Sequence, residues 1–408
     1  MGNGKAIFIL STILVVVIFG CKLKVTNISP GTEPAIATAF TKEAFLWVQD
    51  GAGGEKAVHG RILSNDGNMT DPAPISEEGS QIKEPRIVKK AAGMYTATWR
   101  NSGHIYCAFL SPTLLLRDGP FEITESGDYC SQYSYDIAYL FPLRKLFVVW
   151  VDRDEETTPT SSCTFYKLLL RIVESDGSMG TIHEIYCEEG QIPCYPKIAA
   201  ASSDELLIVW RSDEGGAREQ RIRAKLISDA GTTLNDYPLT ELSNYKYTDV
   251  VYDDINDRFV TAFDRGDGEL YGRIITFGGV LDHEFHILSR SAEVGGSIRF
   301  LPISLAFLDN EGTANFLLGY HQYEHRDDRY QARLKTVFMS GNGIPAIGTP
   351  QSWGSDSSMR TQGRVSVSGG MINNDNKFVI SYEEGQYRET RGIYRLDSDS
   401  YSIYRDVR

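Results

Sequence analysis

The sequence predicts an all-β protein, a β-propeller of four-stranded blades, on three observations. First, an aromatic residue closes an apolar run again and again, at Trp47, Trp99, Trp150, Trp210, Phe263, Tyr320 and Tyr382. The spacings are 52, 51, 60, 53, 57 and 62 residues. A drifting period of roughly fifty residues is that of propeller blades. Second, the runs (AFLW, YTATW, LFVVW, LLIVW, FVTAF, NFLLGY, KFVISY) are apolar at successive positions. Such runs suit strands covered on both faces, as the middle strands of a blade are by its two neighbours. Third, no long segment past the N-terminus carries a helical period. Seven aromatics predict seven blades, with six or eight left open because the outermost strands are poorly marked. The rival is a β-sandwich with coincidental spacing.

The unit is clearest in Pro196 to Glu241. A short apolar strand leads through a polar turn to the run ending in Trp210. A charged loop, a long strand at Ile222 to Ser228, a tight turn at Gly231 and a short last strand follow. Third strands recur as HGRILS, IYCAFLS, YKLLLRIV, IRAKLIS, YGRIIT, YQARLKTV and GIYRL. Asn65-Asp66-Gly67, Asp176-Gly177, Asp229-Ala230-Gly231, Gly278-Gly279 and Gly341-Asn342-Gly343 follow five of them. These are hairpin turns, because Gly accepts positive φ and Asn and Asp bond their own backbone. Residues 34–408 are read as one propeller domain, 1–20 as a signal peptide and 21–33 as an anchor and linker.

Pro196-Lys197-Ile198-Ala199, Trp210, Ile222-Arg223-Ala224-Lys225-Leu226 and Asp229-Ala230-Gly231 together resemble the tandem propeller repeats of bacterial secreted and surface proteins. Ile36-Ala37 with Trp47 and Ile137-Ala138 with Trp150 match it more loosely. The resemblance implies the fold and an extracytoplasmic setting. It implies no particular activity, since such scaffolds serve many.

The N-terminus carries a different signal. MGNGK is a short basic start, Ala6 to Phe19 is apolar, and Ile18-Phe19-Gly20-Cys21 resembles a bacterial lipobox with Phe at a position usually small or β-branched. The run is short for a spanning helix and right for a secretory leader. Lipidation at Cys21 is the expected outcome, placing the protein in a bacterial envelope, at the outer membrane or cell surface. A single-pass signal anchor is the alternative. Asp and Glu exceed Lys and Arg by 54 to 41, a net charge of −13. That surface repels phosphate and argues against nucleic acid as a partner.

Export permits disulfides. Cys187 and Cys194 bracket a short connection between blades three and four and are expected to pair. Cys130 and Cys163 fall on loops that propeller winding puts on one rim, and form a second expected pair. Cys107, within IYCAF, is expected as a buried free thiol. No CxxC spacing suggests metal. His321-Gln322-Tyr323-Glu324-His325 has the order of an inverted zinc-protease motif, but that chemistry needs a helix and the segment reads as a loop. Arg265-Gly266-Asp267 sits on a predicted hairpin tip. Asp253-Asp254-Ile255-Asn256-Asp257 and Asn373-Asn374-Asp375-Asn376 read as turns without the alternating spacing of a calcium loop. His283 and His286 lie on an outer strand. No cofactor motif is found.

In a blade the first strand runs from top to bottom and the second returns. The loops after the aromatics therefore share the top face with the inter-blade connections. Candidate binding residues there are Asp50, Arg100, Asp152, Arg153, Arg211, Asp213, Asp264, Arg265, His321 and Glu383. The expected function is an envelope-anchored, noncatalytic module binding a protein or glycan. The alternative is a carbohydrate-active enzyme, a glycoside hydrolase or lyase, with Asp50, Asp152, Asp213 and Glu383 as candidate carboxylates. Geometry separates the two. An enzyme shows two or more carboxylates converging within a deep axial pocket, one with a raised pKa. A flat or polar-neutral mouth favours the binder.

Overall fold

The computed structural model of the chain is all-β. It describes residues 14–406, apart from 20–21, 28–31, 40–41, 52–53, 65–67, 69, 91–92, 126–134, 159–160, 215–218, 266–268, 277–280, 290–302, 327–328, 353–359, 373–374 and 391–392. Cys21, Cys130, Gly266, Asp267, Asn373 and Asn374 lie outside the described residues, as do the predicted turns at 65–67 and 278–279. The side chains of Cys163, His321 and Glu383 are likewise outside.

Strands β1 (Leu14–Phe19) and β2 (Lys22–Asn27) come first and join a sheet treated last. Six blades follow, each from one contiguous stretch. Blade 1 is β3 (Thr32–Ala39), β4 (Lys42–Asp50), β5 (Lys56–Leu63) and β6 (Ala73–Pro74). Blade 2 is β7 (Lys83–Lys89), β8 (Tyr95–Asn101), β9 (His104–Leu110) and β10 (Leu116–Glu122). Blade 3 is β11 (Asp136–Leu140), β12 (Lys145–Thr158), β13 (Ser161–Val173) and β14 (Met179–Cys187). Blade 4 is β15 (Ile192–Ala200), β16 (Glu205–Asp213), β17 (Gln220–Ser228) and β18 (Thr233–Pro238). Blade 5 is β19 (Thr248–Asp253), β20 (Arg258–Asp264), β21 (Glu269–Thr276) and β22 (Leu281–Ser289). Blade 6 is β23 (Ser304–Asn310), β24 (Thr313–Arg326) and β25 (Arg329–Ser340), its fourth position split between β26 (Ala346–Ile347) and β27 (Gln351–Ser352).

The seventh sheet departs from the plan. It holds β28 (Arg360–Ile372), β29 (Asp375–Thr390) and β30 (Ile393–Asp406), then β1 and β2, with β1 parallel to β30. The prediction of seven four-stranded blades is therefore corrected to six. The aromatic repeat continues through Tyr382 on β29, but the outer positions of that sheet come from the other end of the sequence. The first strands of the blades pack side by side around the axis, and β28 lies between β23 and β3, closing the ring. Leu14–Phe19, within the predicted apolar leader, is β1. No described helix is long and apolar enough to cross a membrane.

The unbroken apolar runs have a direct structural cause. On β16, Leu206, Ile208 and Trp210 join the cluster shared with blade 3, whereas Leu207 and Val209 join the one shared with blade 5. Successive side chains thus point to opposite faces and both faces are buried. A hydrophobic cluster of this kind fills each described junction from blade 1 to the closing sheet. Each fully buried large side chain contributes about 1.5 to 3 kcal/mol to holding neighbours together. Trp47, Trp150 and Trp210 are among the most completely buried.

Candidate axial site

The register defines one position per blade, the residue of the first strand that faces the residue before the closing aromatic. Those residues are Ala35, Arg86, Asp136, Lys197, Asp249 and Ser304, with Ser366 in the closing sheet. The sign alternates through blades 2 to 5. Arg86 Nε lies 3.6 Å from Asp136 Oδ1, and Lys197 Nζ 3.5 Å from Asp249 Oδ1.

These side chains also clasp adjacent blades. Ile198 N donates to Asp136 Oδ2 at 3.2 Å, Leu305 N to Asp249 Oδ2 at 2.7 Å, and Val367 N to Ser304 Oγ at 3.0 Å. Val250 N gives Asp249 a second backbone donor at 3.0 Å, so this carboxyl is held in one orientation. Burial pushes the Asp249 carboxyl above its usual range; Lys197 opposes the shift and the charge of Asp136 adds to it. Its side chain still keeps 10 % of its surface exposed, and Asp136 keeps 14 %. Two carboxyl groups of unlike environment thus share the axis.

Above this ring, the first strands of blades 2 and 4 carry a bulge at a residue before proline. Glu84 (φ 54°) precedes Pro85, and Tyr195 (φ 52°) precedes Pro196. Left-handed φ is costly for such residues, so packing must hold them there. Each meets the arginine that follows its blade's tryptophan. Arg100 Nη1 lies 3.5 Å from Glu84 Oε2, and the Arg211 guanidinium lies 5.1 Å from the Tyr195 ring. Tyr135 braces the first pair, donating to Glu84 O at 2.7 Å, and the Tyr247 ring meets Tyr195 at 5.0 Å, tilted by 57°.

None of the residues singled out by sequence holds the ring position on a first strand. Asp50 is exposed and pairs with Lys56 at 3.5 Å. Arg100 is buried behind Glu84. Asp152 is half-buried on β12, where its Oδ1 accepts from Arg153 N at 2.9 Å, and Arg153 is exposed. Asp213 is held by both arms of Arg211 at 2.9 Å. Asp264 is buried at the end of β20, and Arg265 lies over Tyr271 at 5.7 Å. His321 falls on β24, so HQYEH is strand rather than the expected loop; Glu383 falls on β29. His283 and His286 are on β22 as expected, and Asp254 to Asp257 form the expected turn.

The pairing of Cys187 with Cys194 is corrected, because both are free. Cys187 ends the outermost strand of blade 3 and Cys194 lies on the innermost strand of blade 4. The connection crosses the width of a blade, roughly 14 Å over three strand spacings, whereas a disulfide needs Cα atoms within about 7 Å. Cys194 is instead buried against Asp213, and burial pushes its thiol up to about 12. Cys107 is free and buried, as predicted.

No protein-family model matches the chain, and no curated protein matches it in sequence. Solved structures similar in fold include AofleA from Arthrobotrys oligospora, at 8 % identity and TM-score 0.47 over 80 % of this chain and 94 % of that one. The GH93 α-L-arabinofuranosidase of Fusarium graminearum has 9 % identity and TM-score 0.46, over 78 % and 92 %. Trypanosoma rangeli sialidase has 9 % identity and TM-score 0.44, over 96 % of this chain and 57 % of that one. The expectation of a noncatalytic binding module is corrected at this point. That module goes with a flat or polar-neutral mouth, and the axis instead holds paired charges with a raised carboxyl. Two of these proteins are named as an arabinofuranosidase and a sialidase; with TM-scores below 0.5, nothing said of this chain rests on them.

Proposed function

We propose that the chain is a carbohydrate-active enzyme of the glycoside hydrolase type, with Asp249 as the proton donor and Asp136 as the second carboxylate. The observation that supports this is the pair itself: two carboxyl groups on the axis, one raised by burial and by the charge of the other. Glycoside hydrolysis needs such a division of labour. Asp249 gives its proton to the departing glycosidic oxygen; its two backbone donors hold the carboxyl in one orientation and, with Lys197, oppose the upward push of burial. Asp136 attacks the anomeric carbon or takes a proton from the water that does. Arg86 stands beside it as counter-charge. Tyr195 and Tyr247 offer ring faces above the pair for a sugar to lie on.

The same reading places the enzyme outside the cell, cut before Cys21 so that β1 is lost from the closing sheet and anchored through a lipid on that cysteine, where polysaccharide is met. Ile18-Phe19-Gly20-Cys21 after an apolar stretch supports that placement. One experiment covers both parts. Bacterial cells expressing the full chain are labelled with palmitate, and the isolated protein is offered a panel of nitrophenyl pentosides, hexosides and sialosides. Wild type takes up label and Cys21→Ala does not. Wild type releases nitrophenol, and Asp249→Asn loses about 10²- to 10⁴-fold in kcat. Folded wild type that hydrolyses nothing on the panel, or an Asp249→Asn variant at wild-type rate, rejects the enzyme. Unlabelled wild type rejects the anchor.

A further inference from the structure

We infer that the outer edge of β30 is a docking site for β2: when the chain is cut before Cys21, β2 takes the place of β1 and pairs antiparallel with β30. The inference rests on the cut proposed above. In blades 1 to 6 the fourth position is filled from the segment that follows the third strand, and it runs antiparallel to that strand. The closing sheet departs on both counts. Beside β30 lies β1, in parallel, with Leu14, Val15 and Val16 against Tyr401, Ser402 and Ile403. Parallel pairing is slightly less stable per residue. β1 also lies wholly within residues 1–20, so the cut removes it. That bares the N–H and C=O groups along the edge of β30, a template for an incoming strand.

β2 lies next to that edge and already has the direction a fourth strand needs. It is antiparallel to β1, which is parallel to β30, so β2 is antiparallel to β30. The register carries over as well. Val16 faces Val25 on one side and Ile403 on the other, and Val15 faces Thr26 and Ser402. A sideways step of one strand spacing, about 4.8 Å, therefore sets Val25 against Ile403 and Thr26 against Ser402. The residue types match: two β-branched apolar residues, which suit a pleated surface, then two hydroxyl residues, a favourable cross-strand pair. Carried three residues further, the same register sets Lys22 against Asp406, an opposite-charge pair. Lys22, Lys24 and Thr26 alternate with Leu23 and Val25, the pattern of an edge strand with one apolar face. Asp406 pairs with Lys377, beside the hairpin of β28 and β29. A lipid attached just before Lys22 thus leaves from the face opposite Tyr195 and Tyr247, and the proposed axial site is turned away from the membrane.

Oxidative cross-linking tests the pairing. Two double variants, Val25→Cys with Ile403→Cys and Thr26→Cys with Ser402→Cys, are made in the full chain and in the cut chain, which begins at residue 21 as Cys21→Ser. Both are synthesised in a cell-free extract, so that the full chain stays uncut. In the full chain the paired positions stand two strand spacings apart, about 10 Å, beyond the roughly 7 Å that a disulfide spans between Cα atoms. In the cut chain they stand about 5 Å apart, and one of the two pairs falls at the closer, non-hydrogen-bonded kind of site. Peptide mapping after oxidation is expected to find at least one of these cross-links within monomers of the cut chain and neither in the full chain. A cut chain that fails to fold, one that folds without either cross-link, or equal cross-linking in both chains overturns the inference. Cross-links between two molecules overturn it as well, because a second copy then takes the edge. Neither hydrolysis nor palmitate labelling enters the readout, so this inference and the proposed function fail separately.

Discussion

Arg258 shows how much a single side chain does in this ring. Its Nε binds Asp253 at 2.7 Å, Nη1 donates to Gly343 O at 2.7 Å, and Nη2 to Gly341 O at 3.2 Å. Asp253 in turn accepts from Ile255 N and Asn256 N, both at 3.2 Å. One buried guanidinium therefore ties the inner hairpin of blade 5 to the outer turn of blade 6. Replacing it by Met leaves the Asp253 charge buried without its counter-ion. Arg258→Met is expected to lose about 3 to 5 kcal/mol in urea unfolding; a loss below about 1 kcal/mol would show that the network contributes little. The axial acids were harder to read than this pair. Asp136 and Asp249 each sit next to residues that look like plain strand, and attention to charged loops passed over them. Their signal was periodic: the residue before Ile or Val in the first strand is charged in four successive blades, as Arg86, Asp136, Lys197 and Asp249.

At the scale of elements, hairpin turns of one blade receive side chains from the blade before. A Cβ on Gly231, in the β17–β18 turn at φ 80°, would come within 2.9 Å of the His183 ring on β14. Gly190 has a similar φ of 74° with nothing within 4 Å of such a Cβ. Gly190→Ala thus measures the left-handed backbone cost alone, about 1 to 2 kcal/mol. Gly231→Ala should cost more by the price of moving His183, read as a lower urea midpoint. Equal midpoints would mean that blade-to-blade seating is soft there. Second and third strands were legible in the sequence because double burial leaves an unbroken apolar run closed by an aromatic. First strands were legible only in blades 1, 3 and 4, as Ile36-Ala37, Ile137-Ala138 and Pro196 to Ala199. Of the fourth strands, only the short one after the Gly231 turn and the one bearing His283 and His286 were read. Three of the fourth positions, β6, β18 and β26, are short and largely exposed, so no pattern marks them. The disulfide expected between Cys187 and Cys194 failed for the same reason: closeness in sequence concealed a crossing from the rim to the axis.

Over the whole molecule, the ring is built from local blades, and the closing sheet alone joins distant parts of the sequence. The blade count was misread because β28 and β29 carry the repeat while the outer positions beside them do not. The ring geometry also brings residues from separate blades into electrostatic reach of one another at the axis, because one position is repeated around a circle. Asp249 is held above its ordinary range by burial and by Asp136, with Lys197 opposing. As a proton donor it works only while protonated, so kcat/KM must fall as pH rises through its pKa. Removing the Lys197 charge lets that pKa rise further. The most direct measurement is the pH dependence of glycoside hydrolysis by wild type and Lys197→Met. The expected result is an alkaline limb displaced to higher pH in the variant; a limb that stays where wild type has it contradicts the assignment of Asp249 as the acid.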